Sequence, residues 1–195
     1  MLLSEKLHKA LEAFDQANSE DPNLENIDGQ VLAKEFIYGQ RMSERLHTFC
    51  SEPSEALQLA VRAQHICRWK IPRNDYPMDR TGYKRWRSDL AKFHGETAAM
   101  ILADQGYDVE TIERVKDLLL KRGLKRDDEV QILEDVACLV FIEHYLDDFA
   151  RKHEEEKLLD IIRKTWNKMS PAGHAAALQL PLPEAMQQLV HKALG

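Results

Sequence analysis

The stretch that decides the fold is Glu129–Ala150, EVQILEDVACLVFIEHYLDDFA. From Val136 to Ile142 it holds no polar residue. A surface helix carries one apolar stripe, whereas a helix apolar on every side belongs inside a core. The run is too short to span a bilayer, and acids bound it at both ends. The expectation is a buried central helix over 129–150, with Val136–Ile142 its most buried part. Glu134 and Asp135 stand at its entrance, and Asp135 shares a helix face with Cys138 and Ile142. An ionised carboxylate taken out of water is costly unless it is ion-paired, hydrogen-bonded or on a metal. What Asp135 meets is therefore the first question about function.

Outward from this helix, periodicity predicts further helices. Residues 2–17 place Leu3, Leu7, Leu11 and Phe14 at helical spacing and form an N-terminal helical arm. Residues 18–29, with Pro22 and Gly29, read as a loop. Helices follow over 31–49, 55–69, 83–106 and 109–122, with a proline-containing loop at 70–81. Beyond the central helix, 154–169, 171–178 and 184–194 are helical, and Ser170-Pro171 supplies a cap and a first-turn proline. No segment alternates as a strand, so no sheet is expected. The fold class is all-α, one domain over 1–195, a bundle of about eight or nine helices.

Composition sets bounds on function. With 44% hydrophobic and 31% charged residues, the chain resembles an ordinary soluble globular protein. Its net charge of −6 offers no global field for nucleic acid, so any anion site must be local. Cys50, Cys67 and Cys138 form no CxxC pair, which suits a reducing, cytoplasmic setting. The N-terminus lacks the pattern of a signal peptide, and no membrane association is expected.

Two constellations carry chemistry. His65, His94 and Asp135 lie on three helices expected to pack together. Two imidazoles and a carboxylate suit Zn²⁺, Mn²⁺ or Fe²⁺, and facing helices supply such ligands in bundles. The plainer explanation is three unrelated side chains, each satisfied locally. The second constellation is electrostatic. Between Arg62 and Lys92 stand nine cations, among them Arg68 and Arg87, against only Asp75, Asp79 and Asp89. Trp69, Tyr76, Tyr83 and Trp86 interleave with them. Guanidinium groups suit phosphate and aromatic faces suit a base, although a solvated basic face would look the same. Lys164, Trp166 and Lys168 extend a basic rim, or lie on a surface helix. There is no GxGxxG, P-loop or GxSxG motif.

Several phrases form a recognisable set: YGQRMSERL from Tyr38, RAQHICRWKIPR from Arg62, YPMDRTGYKRWR from Tyr76, KFHGETAA from Lys92, LEDVACLVFIEHY from Leu133 and RKTWNKMSPAGHAAAL from Arg163. They resemble the bacterial and fungal domain-of-unknown-function 4202 family over nearly the whole chain. That resemblance implies an all-helical fold and assigns no activity. More distantly, the order of helices is similar to the HD superfamily of metal-dependent phosphohydrolases. There a first His, a His-Asp pair and a later Asp hold a metal. In this sequence Gln40 stands where the first His belongs, Ile66 replaces the Asp of the pair after His65, and Asp135 falls at the terminal Asp. His94 matches an extra His of some members. In another register His65 is the first His and His94 the pair, with Gly95 in place of its Asp.

Two functions follow. One is an HD-like phosphohydrolase acting on a nucleotide or other phosphoester. Its divalent ion would sit on His65, His94 and Asp135, with Gln40 or water completing the shell. Glu134 would be a second-layer partner or general base, and Arg41, Arg62, Arg68, Arg87 and Lys92 would hold the phosphate. The other is a non-catalytic module that binds a nucleotide, RNA or protein through the same basic pocket. A small phosphorylated ligand is the expected partner in either case, ahead of nucleic acid.

Overall fold

The computed structural model describes residues 4–27 and 29–195. Leu2 and Leu3 of the expected first helix, and Asp28 of the expected loop, lie outside the described residues. Ten α-helices and one two-stranded hairpin make up the fold among the described residues. The order is α1 (Glu5–Ser19), β1 (Leu24–Ile27), β2 (Gln30–Ala33), α2 (Lys34–Phe49), α3 (Glu55–Arg62), α4 (Arg80–Asp104) and α5 (Val109–Leu119). Then come α6 (Asp128–His144), α7 (Leu146–Ala150), α8 (Glu155–Trp166), α9 (Pro171–Ala177) and α10 (Glu184–Leu194).

The all-α reading holds, and α6 is its centre. It separates two cores. Val130, Leu133, Val136 and Val140 pack with α1 to α5, while Leu139, Ile142 and Leu146 pack with α8 to α10. Each of these residues is at most 4% exposed, which explains why the helix shows no polar face. Within Val136–Ile142 only Ala137 and Phe141 are half-buried rather than buried. They are one helical turn apart and so share a face.

Three local expectations are corrected. The expected loop and the start of the expected second helix form a hairpin, in which Leu24 pairs with Ala33 and Ile27 with Gln30. Gly29 takes the left-handed turn (φ +85°), and its N–H donates to Asn26 Oδ1 at 3.0 Å. The expected helix over 55–69 stops at Arg62. The chain then turns through Cys67, whose φ of +50° is left-handed, into a short 3₁₀ turn at Arg68–Lys70. Buried Asn18 holds that turn by accepting the Cys67 N–H at 2.9 Å. The central helix breaks at Tyr145, giving α6 and α7 instead of one helix to Ala150.

Two polar junctions fix helices to one another. Arg62, from the end of α3, donates through Nη1 to both carboxylate oxygens of Asp15 on α1 at 2.7 Å, and through Nε to Ser43 Oγ on α2 at 2.8 Å. Asp135, 1% exposed, receives the N–H of Ser170 at 2.8 Å and its hydroxyl at 2.5 Å, plus the Gln131 amide at 3.1 Å. Ser170 is the cap of α9, and its Oγ accepts the Gly173 N–H. Asp135 therefore meets the capped start of α9, where the helix dipole also favours an anion. Gly173 lies so close that a Cβ there would come within 2.6 Å of Asp135 Oδ1.

Both junctions are open to test. Arg62→Ala leaves Asp15 without its cation and should lower stability by about 3 kcal/mol in denaturant melts. Gly173→Ala should cost about 1–3 kcal/mol by pressing a methyl group onto Asp135. Neutral behaviour of both variants would remove these two links from the account of the fold.

Candidate functional site

The half-buried stripe of α6 faces a cavity of about 820 Å³. Glu134, Ala137, Cys138, Phe141 and Tyr145 line it at helical spacing. It is walled by Lys34, Glu35 and Tyr38 of α2, the turn Gln64–His65 with Arg68, and Tyr83, Trp86 and Arg87 of α4. Lys121, Lys164 and Lys168 complete the lining. Six cations and two carboxylates thus surround one cavity in a chain of net charge −6. Phe141, Phe149, Tyr38, Tyr83, Tyr145 and Trp86 give it aromatic walls.

His65 is the most constrained group on the wall. Its ring stacks on Tyr38, with centroids 4.0 Å apart. Arg68 Nη1 approaches its Nε2 at 3.1 Å, and Glu35 Oε2 lies 3.3 Å from its Nδ1. A guanidinium only donates, so Nε2 must be the accepting nitrogen, and Nδ1–H then points to Glu35. Burial holds the His65 pKa well below its ordinary value, and the positive charges of Arg68 and Arg87 push the same way. The ring is neutral at pH 7. Burial raises the carboxyl pKa of Glu35, and Arg68 and Lys34 pull it part of the way back. Arg68 also lies over Trp86, 4.9 Å from the ring centroid.

Another part of the wall is organised by Glu134. Lys121 Nζ donates to one carboxylate oxygen, and Lys168 Nζ is 3.4 Å from the other. Burial acts to raise the Glu134 pKa, but the two lysines outweigh it and hold it below the ordinary carboxylate range. Lys121 reaches this position from a left-handed backbone conformation (φ +53°) just past α5. Burial pushes the Cys138 thiol up to about 12, so it stays a thiol rather than a nucleophilic thiolate.

Tyr83, Trp86, Lys164 and Lys168 of the basic and aromatic stretches line the cavity, and of the ten residues given metal, base or phosphate roles from the sequence, His65, Arg68, Arg87 and Glu134 do. The other six do not. Gln40 Nε2 donates to Asp15 at 2.8 Å, and Arg62 is bound to the same carboxylate. Arg41 joins Glu25 at 2.7 Å and the Tyr145 hydroxyl at 2.8 Å, so it supports an aromatic wall rather than facing a ligand. Lys92 is exposed on α4. His94 lies behind the wall, with Nδ1–H on the Ile66 carbonyl at 2.8 Å and its Nε2 unpartnered among the described residues. Asp135 points to Ser170.

The four expected metal donors therefore do not converge. No group of three or more His, Cys, Asp or Glu side chains gathers to hold an ion among the described residues. The His65 Nε2 lone pair, which an ion would need, already faces a guanidinium. As placed, His65, His94, Asp135 and Gln40 do not fit a shared divalent ion, and no step is derived through one. Sequence reasoning missed Lys34, Glu35, Tyr38, Gln64 and Lys121. Glu35 and Tyr38 sit three apart on α2, a spacing that marks a shared face but not what the face meets. Lys121 falls at the end of the expected helix over 109–122, where a cation also complements the helix C-terminus.

Buried His94 gives a pH signature. Burial lowers its pKa from 6.5 to about 3. Between those values the unfolded chain holds a proton that the folded chain does not, so stability falls as pH drops from 6.5 toward 3. A His94→Gln variant should show a shallower loss over that window in denaturant melts. Equal slopes for variant and wild type would contradict this assignment.

No curated protein and no solved structure matches the chain. The agreement that does exist covers residues 8–190, nearly the whole bundle and every residue of the cavity wall, and it places the chain in the family described as Domain of unknown function (DUF4202).

Proposed function

We propose that this protein binds a phosphorylated small molecule with an aromatic ring, a nucleotide in the simplest case, in the cavity beside α6. One observation carries the reading: six cations and six aromatic rings line a single cavity of about 820 Å³ in an acidic chain. That volume is within the usual range for small-molecule sites. Arg68, Arg87, Lys34 and Lys164 supply charge for the phosphate. The aromatic walls offer faces on which a base can stack. The concave shape favours a small ligand over a long nucleic acid.

The reading is of a binding module. The similarity of helix order to HD phosphohydrolases suggested metal-dependent hydrolysis, but Gln40, Asp135 and the His65 lone pair are committed to other partners. Glu134, the expected base, is engaged by two lysines. A cytoplasmic setting is part of the same proposal. It is supported by Cys50, Cys67 and Cys138, all free thiols, and by the finding that no helix among the described residues is long and apolar enough to cross a membrane.

Isothermal titration with the common nucleoside monophosphates tests the proposal. At least one should bind, with affinity that falls as salt is added. Arg68→Ala or Arg87→Ala should weaken binding roughly tenfold or more, the effect of losing a charge-assisted hydrogen bond. Lys92→Ala should not change it. A chelator should leave both the melting temperature and the affinity unchanged. No binding by any of these nucleotides, or equal losses from Lys92→Ala and Arg87→Ala, overturns the reading.

A further inference from the structure

Gln64 stands on the cavity wall between the end of α3 and the left-handed Cys67 turn. It is 6% exposed, and its Oε1 is buried with no hydrogen-bond partner among the described residues. Several neighbouring polar groups of the turn are committed. His65 is held between Glu35 and Arg68, the Ile66 carbonyl accepts from His94, and the Cys67 N–H goes to Asn18. Gln64 lines the ligand-sized space, while its Oε1 is shielded from solvent and left without a donor among the described residues.

The sign of the missing partner narrows its chemistry. An amide oxygen accepts hydrogen bonds, so the partner must bring a donor. An ionised phosphate brings none, and the cations of the pocket already suit it. The partner therefore belongs to the uncharged part of the ligand. An amide also carries an NH₂ beside its oxygen, and this pair matches a nucleobase edge with an N–H donor next to an acceptor. Oε1 is shielded from solvent in the unliganded protein, so the side chain must turn for the amide to meet that edge.

We propose that Gln64 is the residue that selects the base: the cations hold the phosphate, the aromatic walls hold the ring, and the Gln64 amide pairs with its donor–acceptor edge. This inference rests on the nucleotide reading above and adds a specificity determinant to it. A site built to hydrogen-bond a ligand group discriminates strongly against analogues without that group, because its own buried polar atom is then left unpaired.

The test is titration of wild type and Gln64→Leu with four nucleoside monophosphates and with ribose phosphate, alongside thermal melts of both unliganded proteins. Wild type should bind at least one nucleotide roughly tenfold more tightly than ribose phosphate and than the least favoured base. Gln64→Leu should lose that preference and keep its affinity for ribose phosphate. The unliganded variant should melt no lower than wild type, because it replaces an unsatisfied buried amide with an apolar side chain of similar size. Three results each overturn the inference while leaving the nucleotide reading intact: no base preference in wild type, a preference that survives in Gln64→Leu, or an equal loss for ribose phosphate and nucleotides. A markedly lower melt of the unliganded variant also overturns it, since that would mean Gln64 has a structural partner. Binding of none of the five compounds removes the nucleotide reading and this inference together.

Discussion

Two adjacent carboxylates on a helix with no wet side set the terms for the rest of the molecule. Glu134 and Asp135 are 3% and 1% exposed, and successive residues on a helix point about 100° apart, so they look into different neighbourhoods. Asp135 is answered by neutral donors, the Ser170 N–H and hydroxyl, which dock the start of α9 on α6. Glu134 is answered by charge and draws Lys121 and Lys168 onto the cavity wall. A buried charge must be matched with good geometry or it destabilises the fold. Here one match fixes a helix and the other places two cations on the cavity wall.

The cavity is thus part of how α6 is buried, not an addition to it. Val136, Val140 and Leu133 face one core, Leu139 and Ile142 the other, and the stripe from Glu134 to Tyr145 runs along the seam, packing in part against both cores and lining the cavity. Phe141 and Ala137 keep partial exposure for that reason. A ligand with an aromatic ring would complete the burial of the third stripe. This gives the aromatic walls and the central helix a common physical cause.

The periodicity of Glu129–Ala150 was enough to place the central helix, because an all-round apolar run has one stable destination. What it could not supply was the direction of each polar side chain. Arg87 and Lys92 belong to the same basic island, yet five residues on a helix turn the side chain by about 140°, so one cavity does not see both. Arg87 lines it and Lys92 faces solvent. His65 was read on a continuous helix, whereas the chain leaves the helix at Arg62 and turns at Cys67. A left-handed non-glycine residue leaves little trace in sequence, since its conformation depends on distant Asn18. The hairpin escaped for a related reason. Its strands are four residues each, and only β1 alternates in burial, so β2 carries no period-two signal.

The same displacement explains why the expected metal donors and the observed wall differ. The turn delivers His65 to a position where its lone pair meets Arg68 at 3.1 Å, with Glu35 on the opposite nitrogen. A guanidinium is a cation that cannot be lost at any ordinary pH. It takes the lone pair that a divalent ion would use, balances the buried Glu35, and still lies over Trp86 at the cavity wall. The positive potential of this wall is therefore built into the chain and needs no recruited ion. Glu35, His65 and Arg68 hold one another in a single tautomer and orientation. On the proposed reading, Arg68 would meet an anion from a fixed position, with little side-chain entropy left to lose.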